Sequence, residues 1–576
     1  MQTDNNLDSS THGNNLGMAG NLAKSFIHSP LSPLLLLASI AIGILGLMFT
    51  PRQEDPQISV PMVDIFVSYP GASSQQVASL VADPLERIMS EIPGVKHVYS
   101  ASQREQAMVT VEFDVGEDMG ESLVKLYDKL ESNMDRIPPG VSPPLVKPKG
   151  VDDVPLITLT LWSPTNNSGY TSDVVDDASL RLIALDVIQQ LKEVPNTSQS
   201  FVVGGRTEQI RIEVYPERLA GFGISLDQIA NTIRSANTQR GVGNVETNNH
   251  SFKLYTGSFL KHANDVRQLI VGLYNNQPVY LADVAQVIEG PAETKSITNF
   301  YSGKASSLDS TVVAAPAVTL AIAKKVGSNG VSVANAILEK VEYLKGRTIP
   351  DNVNVSVTRN YGETANDKVN ELIFKLFVAT LVVTILVWMF LGRPAATVVL
   401  IVIPVVILVT IFSAWILKFT IDRVSLFALI FSIGILVDDA IVVVENIYRR
   451  WLLNNETSTE TAIDAVREVG NPTILATFTV IAALLPMAYV SGMMGPYMAP
   501  IPALGSVAMI FSLFAAFIFT PWLTMRLKPS LEQLNKAAEK EHHQSEKLER
   551  FYRRIITPLI RDRIKGLVFL VSVIGI

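Results

Sequence analysis

Two adjacent aspartates, Asp438 and Asp439, stand inside an otherwise apolar run, GILVDDAIVVVENIYRR at residues 434–450. An ionisable group near the centre of a bilayer costs roughly 2.5 to 3.5 kcal/mol on insertion scales and is by default a functional group. Because desolvation and mutual repulsion both favour protonation of such carboxylates, the pair predicts a proton-binding site near neutral pH. The ionised pair requires a cation, and the other complete apolar runs offer only Lys375, at the outer edge of one of them.

Proton occupancy of this pair would select between two arrangements of the helices, which a domain outside the membrane could sense. Alternatively, both aspartates stay protonated and serve helix packing alone. Burying two adjacent polar groups, however, costs more free energy than helix packing requires. Glu445 shares the helix face of Asp438, but with Asn446 it lies near the cytoplasmic end, where a solvated carboxylate needs no special role. An intramembrane aspartyl protease also uses buried aspartates, but it places them on two facing helices.

The composition is that of a membrane protein. The chain has 576 residues, 48% of them hydrophobic, and its mean hydropathy of +0.28 is too high for an ordinary soluble protein. A net charge of −7 without a basic arm or stripe argues against a nucleic-acid binder. The absence of cysteine excludes disulfides, thiolate metal sites and a cysteine nucleophile. His542 and His543 are adjacent rather than at ligand spacing, so the sequence predicts neither a metal site nor a cofactor.

Six apolar runs are long enough to cross a hydrocarbon layer of about 30 Å as helices. A seventh run begins near residue 566 and the sequence stops inside it, so we expect the chain to be the N-terminal part of a longer protein. The loops on one side of the membrane carry fourteen lysine and arginine residues, and those on the other side carry two. Because positive charge marks the cytoplasmic side, this predicts a cytoplasmic N-terminus and an external region at 51–368. The predicted segments are a cytoplasmic N-terminal segment at 1–30, spans at 31–50, 374–391, 396–417, 425–446, 473–490 and 502–523, a cytoplasmic helix at 529–554 and the start of a truncated seventh span at 566–576.

The external region changes to short alternating strands separated by amphipathic helices. A strand, a helix at 73–92, a hairpin and a helix at 119–137 give the order β-α-β-β-α. The same order restarts at residue 156 with LITLTLW, where SQSFVVGG and QIRIEVYP predict a second hairpin. Two such units in tandem predict an α+β region of ferredoxin-like (split βαβ) modules packed side by side. That architecture occurs in proteins of many different functions and therefore does not identify one.

The stretch FSIGILVDDAIVVVENIYRR closely resembles the fourth transmembrane helix of the resistance-nodulation-cell division (RND) transporters, in particular their hydrophobe/amphiphile multidrug efflux branch of acriflavine-resistance type. VSYPGAS at 67–73 resembles the start of that family's first porter subdomain, and PAVTLAIAKKVGSNGVSVANAI resembles the return into the second. The resemblance implies a polytopic α-helical membrane protein, similar to the first half of that family. It also implies porter subdomains at 51–153 and at 154–204 plus 300–362, and a docking subdomain at 205–299.

The resemblance further implies a secondary transporter, not an enzyme, that exports amphipathic or hydrophobic compounds such as drugs by proton antiport, driven by proton motive force. It implies a homotrimer in the inner membrane of a Gram-negative bacterium, working with a periplasmic adaptor protein and an outer-membrane channel. Asp438 and Asp439 match the family's proton-relay aspartates, whose lysine partner lies on a tenth span, beyond the end of this sequence.

The sequence departs from the multidrug members at one predicted pocket position. Those members carry a pocket phenylalanine where this chain has Val203 followed by Gly204, so the substrate-binding residues stay unassigned. A relative that exports lipids or metal ions is the alternative. The metal-exporting branch usually has one acidic residue in place of the aspartate pair.

Overall fold

The described part of the chain divides into two compact units. One unit holds the residues up to 154, 324–334 and those from 361 onwards, and the other holds 155–323 and 335–360. Most of the predicted cytoplasmic helix at 529–554, and all but one residue of the truncated span at 566–576, lie outside the described residues. The computed structural model describes residues 17–150, 153–164, 174–304, 306, 308, 311–532, 534, 535, 552–554, 556, 557, 561, 564 and 569.

The described chain begins with a helix that the sequence did not predict. This helix, α1 (Gly17–Phe26), lies in the segment interpreted as a polar cytoplasmic leader, and its buried positions are the small residues Ala19, Gly20 and Ala23. A tight turn leads from it into α2 (Leu31–Phe49), which covers the first predicted span except Thr50.

A four-stranded antiparallel sheet follows, in the order β2-β3-β1-β4. Alternation along β1 places Val63, Ile65 and Val67 on the buried face. The helix predicted at 73–92 is interrupted by a π-helical segment before Pro84, because proline has no backbone N–H to continue the helical ladder. The elements are β1 (Pro61–Ser68), α3 (Ser74–Val77), the π segment (Ala78–Ala82), α4 (Asp83–Ser90), β2 (Val95–Gln103), β3 (Gln106–Phe113), α5 (Met119–Glu131), a 3-10 turn (Met134–Arg136) and β4 (Leu145–Gly150).

The second unit contains a sheet with β5 at its centre, in the order β13-β14-β5-β15, with β6 also paired to β14. Ile157, Leu159 and Leu161 of β5 are fully buried. The strands β6-β14-β5-β15 follow the same order as β2-β3-β1-β4, with a long insertion between β6 and β14. The elements of this sheet and its helices are β5 (Ile157–Trp162), α6 (Asp177–Leu191), β6 (Thr197–Val203), β13 (Asn299–Phe300), β14 (Ala315–Lys324), α11 (Gly330–Leu344) and β15 (Asn354–Asn360).

The insertion has its own apolar core and one exposed hairpin. Ile229, Val266 and Leu281 belong to this core, whereas every residue of the β8–β9 hairpin is exposed. The elements are β7 (Glu208–Val214), α7 (Pro216–Phe222), α8 (Leu226–Ala236), β8 (Arg240–Thr247), β9 (His250–Thr256), α9 (Ala263–Arg267), β10 (Ile270–Tyr274), β11 (Gln277–Tyr280), α10 (Leu281–Val284) and β12 (Ala285–Pro291).

The predicted second hairpin, SQSFVVGG with QIRIEVYP, is wrong. β6 pairs with β14, and β7 pairs with β12 along its whole length. Gly204 and Gly205 both have positive φ, 86° and 70°, and they turn the chain from one sheet into the other. A glycine pair between alternating strands is also a hairpin signal, so only the distant partner strands decide between the two outcomes.

In the described residues, six helices are long and apolar enough to cross a membrane. They cover the six predicted apolar runs to within one residue, and all but α2 extend further. The helix that carries the aspartate pair ends at Asn454, eight residues beyond the predicted end, and Asn455 follows it in the left-handed conformation (φ 53°). Besides α2, the helices are α12 (Tyr361–Leu391), α13 (Arg393–Ile416), α14 (Arg423–Asn454), α15 (Thr459–Leu484), which a 3-10 segment (Leu485–Tyr489) follows, α16 (Met494–Met498) and α17 (Pro500–Arg526).

Candidate functional site

Asp438 and Asp439 lie midway along α14, and their side chains have different surroundings. Successive residues of a helix point about 100° apart, so one carboxylate can face a neighbouring helix while the other does not. Asp439 is half-buried, whereas Asp438 is exposed among the described residues. The described helices therefore cover Asp439 in part and leave Asp438 uncovered.

The neighbour of Asp439 is α17, which packs closely along α14. The hydroxyl of Ser512, a residue 2% exposed, lies beside the Asp439 carboxyl group and donates to the carbonyl of Leu436 at 3.0 Å. Gly505 and Ala508 precede Ser512 on the same face of α17, and small residues at this spacing let two helices approach closely. Sequence reasoning missed Ser512; its signal was a polar residue in a row of small ones.

Asp438 lies in a stripe of α14 that the described residues leave exposed. Phe427 and Phe431 precede it in the stripe, and Glu445 follows it two turns later. Gly434 belongs to the same stripe, and a Cβ built there would meet nothing within 4 Å. No residue in the described ranges therefore packs closely against Gly434. Glu445 shares the stripe with Asp438 but is seven residues away from it.

Lys375, the cation at the outer edge of another apolar run, forms an ion pair on its own helix. Lys375 Nζ is 2.7 Å from Glu371 Oε1, one turn earlier on α12. Among the described residues, neither Asp438 nor Asp439 forms an ion pair. The same residues contain no group of three His, Asp or Glu side chains that could hold a metal ion.

Asn446 belongs to a polar cluster at the far end of α14. Its side chain is 5% exposed, and its Nδ2 donates to the carbonyl of Ala465 at 2.8 Å and to Glu468 Oε2 at 3.3 Å. Arg450 Nε donates to the same Glu468 oxygen at 2.8 Å. These bonds join α14 to α15, so Asn446 has a structural role that its position beside Glu445 did not reveal.

Val203, the residue at the predicted pocket position, ends β6 and is 46% exposed. Phe201, two residues earlier on the same strand, is exposed to a similar extent. Because alternate residues of a strand share one face, an aromatic ring stands on this face two positions before the expected one. The substrate-binding residues stay unassigned.

The chain is similar to membrane transporters. The profile of the AcrB/AcrD/AcrF family matches residues 22–576. The multidrug resistance protein MdtC of Proteus mirabilis (strain HI4320) is 29% identical over 87% of this chain and 47% of its own length. MdtC of Photorhabdus laumondii is 30% identical over 89% of this chain and 48% of its own length, and MdtC of Escherichia coli O139:H28 is 29% identical over 88% and 48%. The chain spans about half the length of the curated relatives it matches.

Proposed function

Since the chain belongs to the AcrB/AcrD/AcrF family, we propose that it serves proton-driven efflux, with Asp438 and Asp439 as the proton-binding pair. The observation that carries this proposal is the position of two adjacent carboxylates midway along a 32-residue helix that is apolar enough to cross a membrane. Members of this family are secondary transporters rather than enzymes. The energy source is then the proton motive force, and we propose no cofactor.

The unequal surroundings of the two carboxylates support loading and unloading of a proton. Two neighbouring ionised carboxylates repel each other in a poorly solvated site, so binding of a proton at one changes binding at the other. Asp439 has the Ser512 hydroxyl beside it, whereas the described residues leave Asp438 accessible to a cation from elsewhere in the transporter. Protonation of Asp438 would remove the charge that attracts the cation, and α14 would then favour a different arrangement with its neighbours.

The substrates and partners follow from the family alone. The relatives are named multidrug resistance proteins, and we propose amphipathic or hydrophobic compounds such as drugs as substrates. We also propose a homotrimer in the inner membrane of a Gram-negative bacterium, joined by a periplasmic adaptor protein to an outer-membrane channel.

In this proposal the external region moves the substrate. Residues 51–153 form the first porter subdomain, 154–204 plus 300–362 the second, and 205–299 the docking subdomain. The shared strand order of β2-β3-β1-β4 and β6-β14-β5-β15 supports two related porter modules. The insertion between β6 and β14, with its own core, supports a separate docking module.

The test replaces each aspartate with asparagine in the full-length protein, which keeps the side-chain size and removes the ionisation. Export of a fluorescent cationic dye is measured in cells without other efflux pumps, and the membrane abundance of each variant is measured beside it. We expect Asp438→Asn and Asp439→Asn to abolish energised export at wild-type abundance.

The matched control is Glu445→Gln, the same chemical change in the same exposed stripe two turns away. This variant should retain export, because Glu445 is exposed and lies two turns away from the aspartate pair. Energised export by either asparagine variant at the wild-type rate would contradict the assignment of the pair.

A further inference from the structure

The end of α14 nearest Asp422 is bound to the chain segment that follows α2. Gln53 N donates to the carbonyl of Ile421 at 3.1 Å, and Ile421 N donates to the carbonyl of Pro51 at 2.8 Å. These bonds form a parallel bridge between two segments that lie far apart in the sequence. A third backbone bond runs from Arg423 N to the carbonyl of Glu54 at 3.3 Å. We call residues 51–55 together with 420–423 the junction.

A buried polar network reinforces the junction. Asp422 is 1% exposed, and its Oδ1 accepts hydrogen bonds from the backbone N–H groups of Val424 and Ser425 at 2.9 and 2.8 Å. Thr420 Oγ1 donates to Asp422 Oδ2 at 2.9 Å and accepts from Gln53 Nε2 at 3.0 Å. A carboxylate at this position also complements the positive end of the helix dipole. Gln53 is thereby connected through two side chains to the first turn of α14.

An ion pair closes the exposed side of the junction. Arg423 pairs with Asp55, and Tyr497 Oη donates to Asp55 Oδ1 at 3.3 Å. Tyr497 belongs to α16, directly before α17, the helix that packs against α14. The junction therefore joins the ends of three apolar helices, α2, α14 and α17, at one place.

The junction lies between the aspartate pair and the first external sheet. Asp422 is sixteen residues before Asp438, roughly 24 Å along the helix at 1.5 Å per residue. On the other side, β1 begins at Pro61, six residues after Asp55. Through these hydrogen bonds a displacement of α14 would move residues 51–55, which lead into β1.

We infer that Gln53, Thr420 and Asp422 are positioning residues that transmit movement of the aspartate-bearing helix to the start of β1, with the Asp55–Arg423 pair as their support. This inference rests on the proposed function. Capping of α14 requires only the bonds from Val424 and Ser425 to Asp422. The Gln53–Thr420 bond and the Asp55–Arg423 pair contribute nothing to the cap, so their loss separates transmission from helix stability.

The experiment uses the full-length protein in cells, with its partners present. Thr420→Val and Gln53→Met each remove one hydrogen-bonding group at nearly constant size, and Asp55→Ala removes the ion pair. We expect each variant to lower dye export at least ten-fold while membrane abundance stays unchanged. Protonation of the aspartate pair, followed by the infrared carbonyl band of carboxylic acids in purified protein, should also stay unchanged. A purely structural defect would alter abundance or that band.

Two further variants keep the test decisive if a single substitution reduces folding. The exchange Asp55→Arg with Arg423→Asp should restore export to within three-fold of the wild type, because the pair is rebuilt with reversed polarity. The control Arg467→Ala, which removes an exposed ion pair with Asp464 on α15, should leave export unchanged. Export within two-fold of the wild type in Thr420→Val, Gln53→Met and Asp55→Ala would overturn the inference.

A disulfide cross-link provides a second test of the same inference. This chain contains no cysteine, so Gln53→Cys with Thr420→Cys introduces a cross-link at the junction. The reduced double variant lacks the Gln53–Thr420 bond and should export poorly, and oxidation should restore export because the disulfide rejoins the two segments. Oxidation that forms the cross-link without raising export would overturn the inference. Failure of the proposed function itself is distinct, since Asp438→Asn and Asp439→Asn would then retain export.

Discussion

The contact between α2 and α13 yields a prediction whose size follows from the coordinates. Gly43 and Gly46 of α2 face α13 so closely that no side chain fits between the helices. A Cβ added at Gly43 would lie 2.3 Å from Leu408 Cβ and 2.8 Å from the Leu408 carbonyl carbon. Non-bonded carbon atoms prefer about 3.5 Å or more, so the helices would have to separate by roughly 1.2 Å at this point.

Gly43→Ala should therefore destabilise the protein although alanine is the better helix former. Overpacking of this kind costs about 1–3 kcal/mol, and the upper part of that range applies because the clash involves the Leu408 backbone, which cannot rotate away. The gain in helix propensity returns about 1 kcal/mol. The net loss is about 1–2 kcal/mol. Since α2 runs directly into the junction, the same displacement should also lower dye export.

The assay is the apparent melting temperature of the purified full-length protein in detergent, followed by tryptophan fluorescence. The control is Gly221→Ala in α7, where an added Cβ meets nothing within 4 Å and only the propensity gain remains. Gly43→Ala should melt below the wild type by a few degrees, on the order of 2–4 °C per kcal/mol, and Gly221→Ala should melt at or above it. A Gly43→Ala protein as stable as Gly221→Ala would refute the close approach of α2 and α13.

Two further predictions concern polar contacts away from the aspartate pair. Arg206 Nη2 lies 2.7 Å from Asp177 Oδ1, and this hydrogen bond holds the pKa of Asp177 below its usual value of 3.8. A lowered folded-state pKa adds stability above the unfolded pKa and loses it as the pH falls through the folded pKa. Asp177→Asn should therefore lower the free energy of unfolding by about 0.5–1 kcal/mol at pH 7. Thermal melts at a series of pH values should show that the difference in melting temperature from the wild type disappears at acidic pH. A difference that does not change with pH would contradict the pairing. Asn446→Ala removes the bond to the buried Ala465 carbonyl and should cost about 1–3 kcal/mol, measured as a lower melting temperature, whereas Glu445→Ala should change it little.

The sequence predicts those parts of this fold in which neighbouring residues carry the information. Long apolar runs predicted the apolar helices, and alternation in VDIFVS predicted β1 with its buried Val63, Ile65 and Val67. The failures occur where a distant partner decides. The pairing of β7 with β12 joins residues more than seventy positions apart, and nothing near Gly204 and Gly205 indicates it.

Helix α1 shows the same limit on a smaller scale. GMAGNLAKSF has Met18, Leu22 and Phe26 at helical spacing, but the positions that the helix buries are the small residues Ala19, Gly20 and Ala23. Its stability comes from contact with α15, where a Cβ at Gly470 would lie 2.3 Å from Ala19 Cβ. Ser512 was missed for a related reason, because its meaning depends on which helix α17 packs against. The aspartate pair was visible because its desolvation cost does not depend on the identity of the neighbours.

The surroundings of α14 bear on how a proton could do mechanical work here. Its contact with α17 is lined by the small residues Gly505, Ala508 and Ser512, and closely packed helices resist sliding past each other. The junction binds α14 and the segment before α17 at the same end, through Asp422 and Tyr497. These two helices should therefore move together, with Asp439 inside the moving body and Asp438 on its open face. A change of charge on Asp438 then acts between this body and whatever faces it, and the junction carries the resulting movement toward β1.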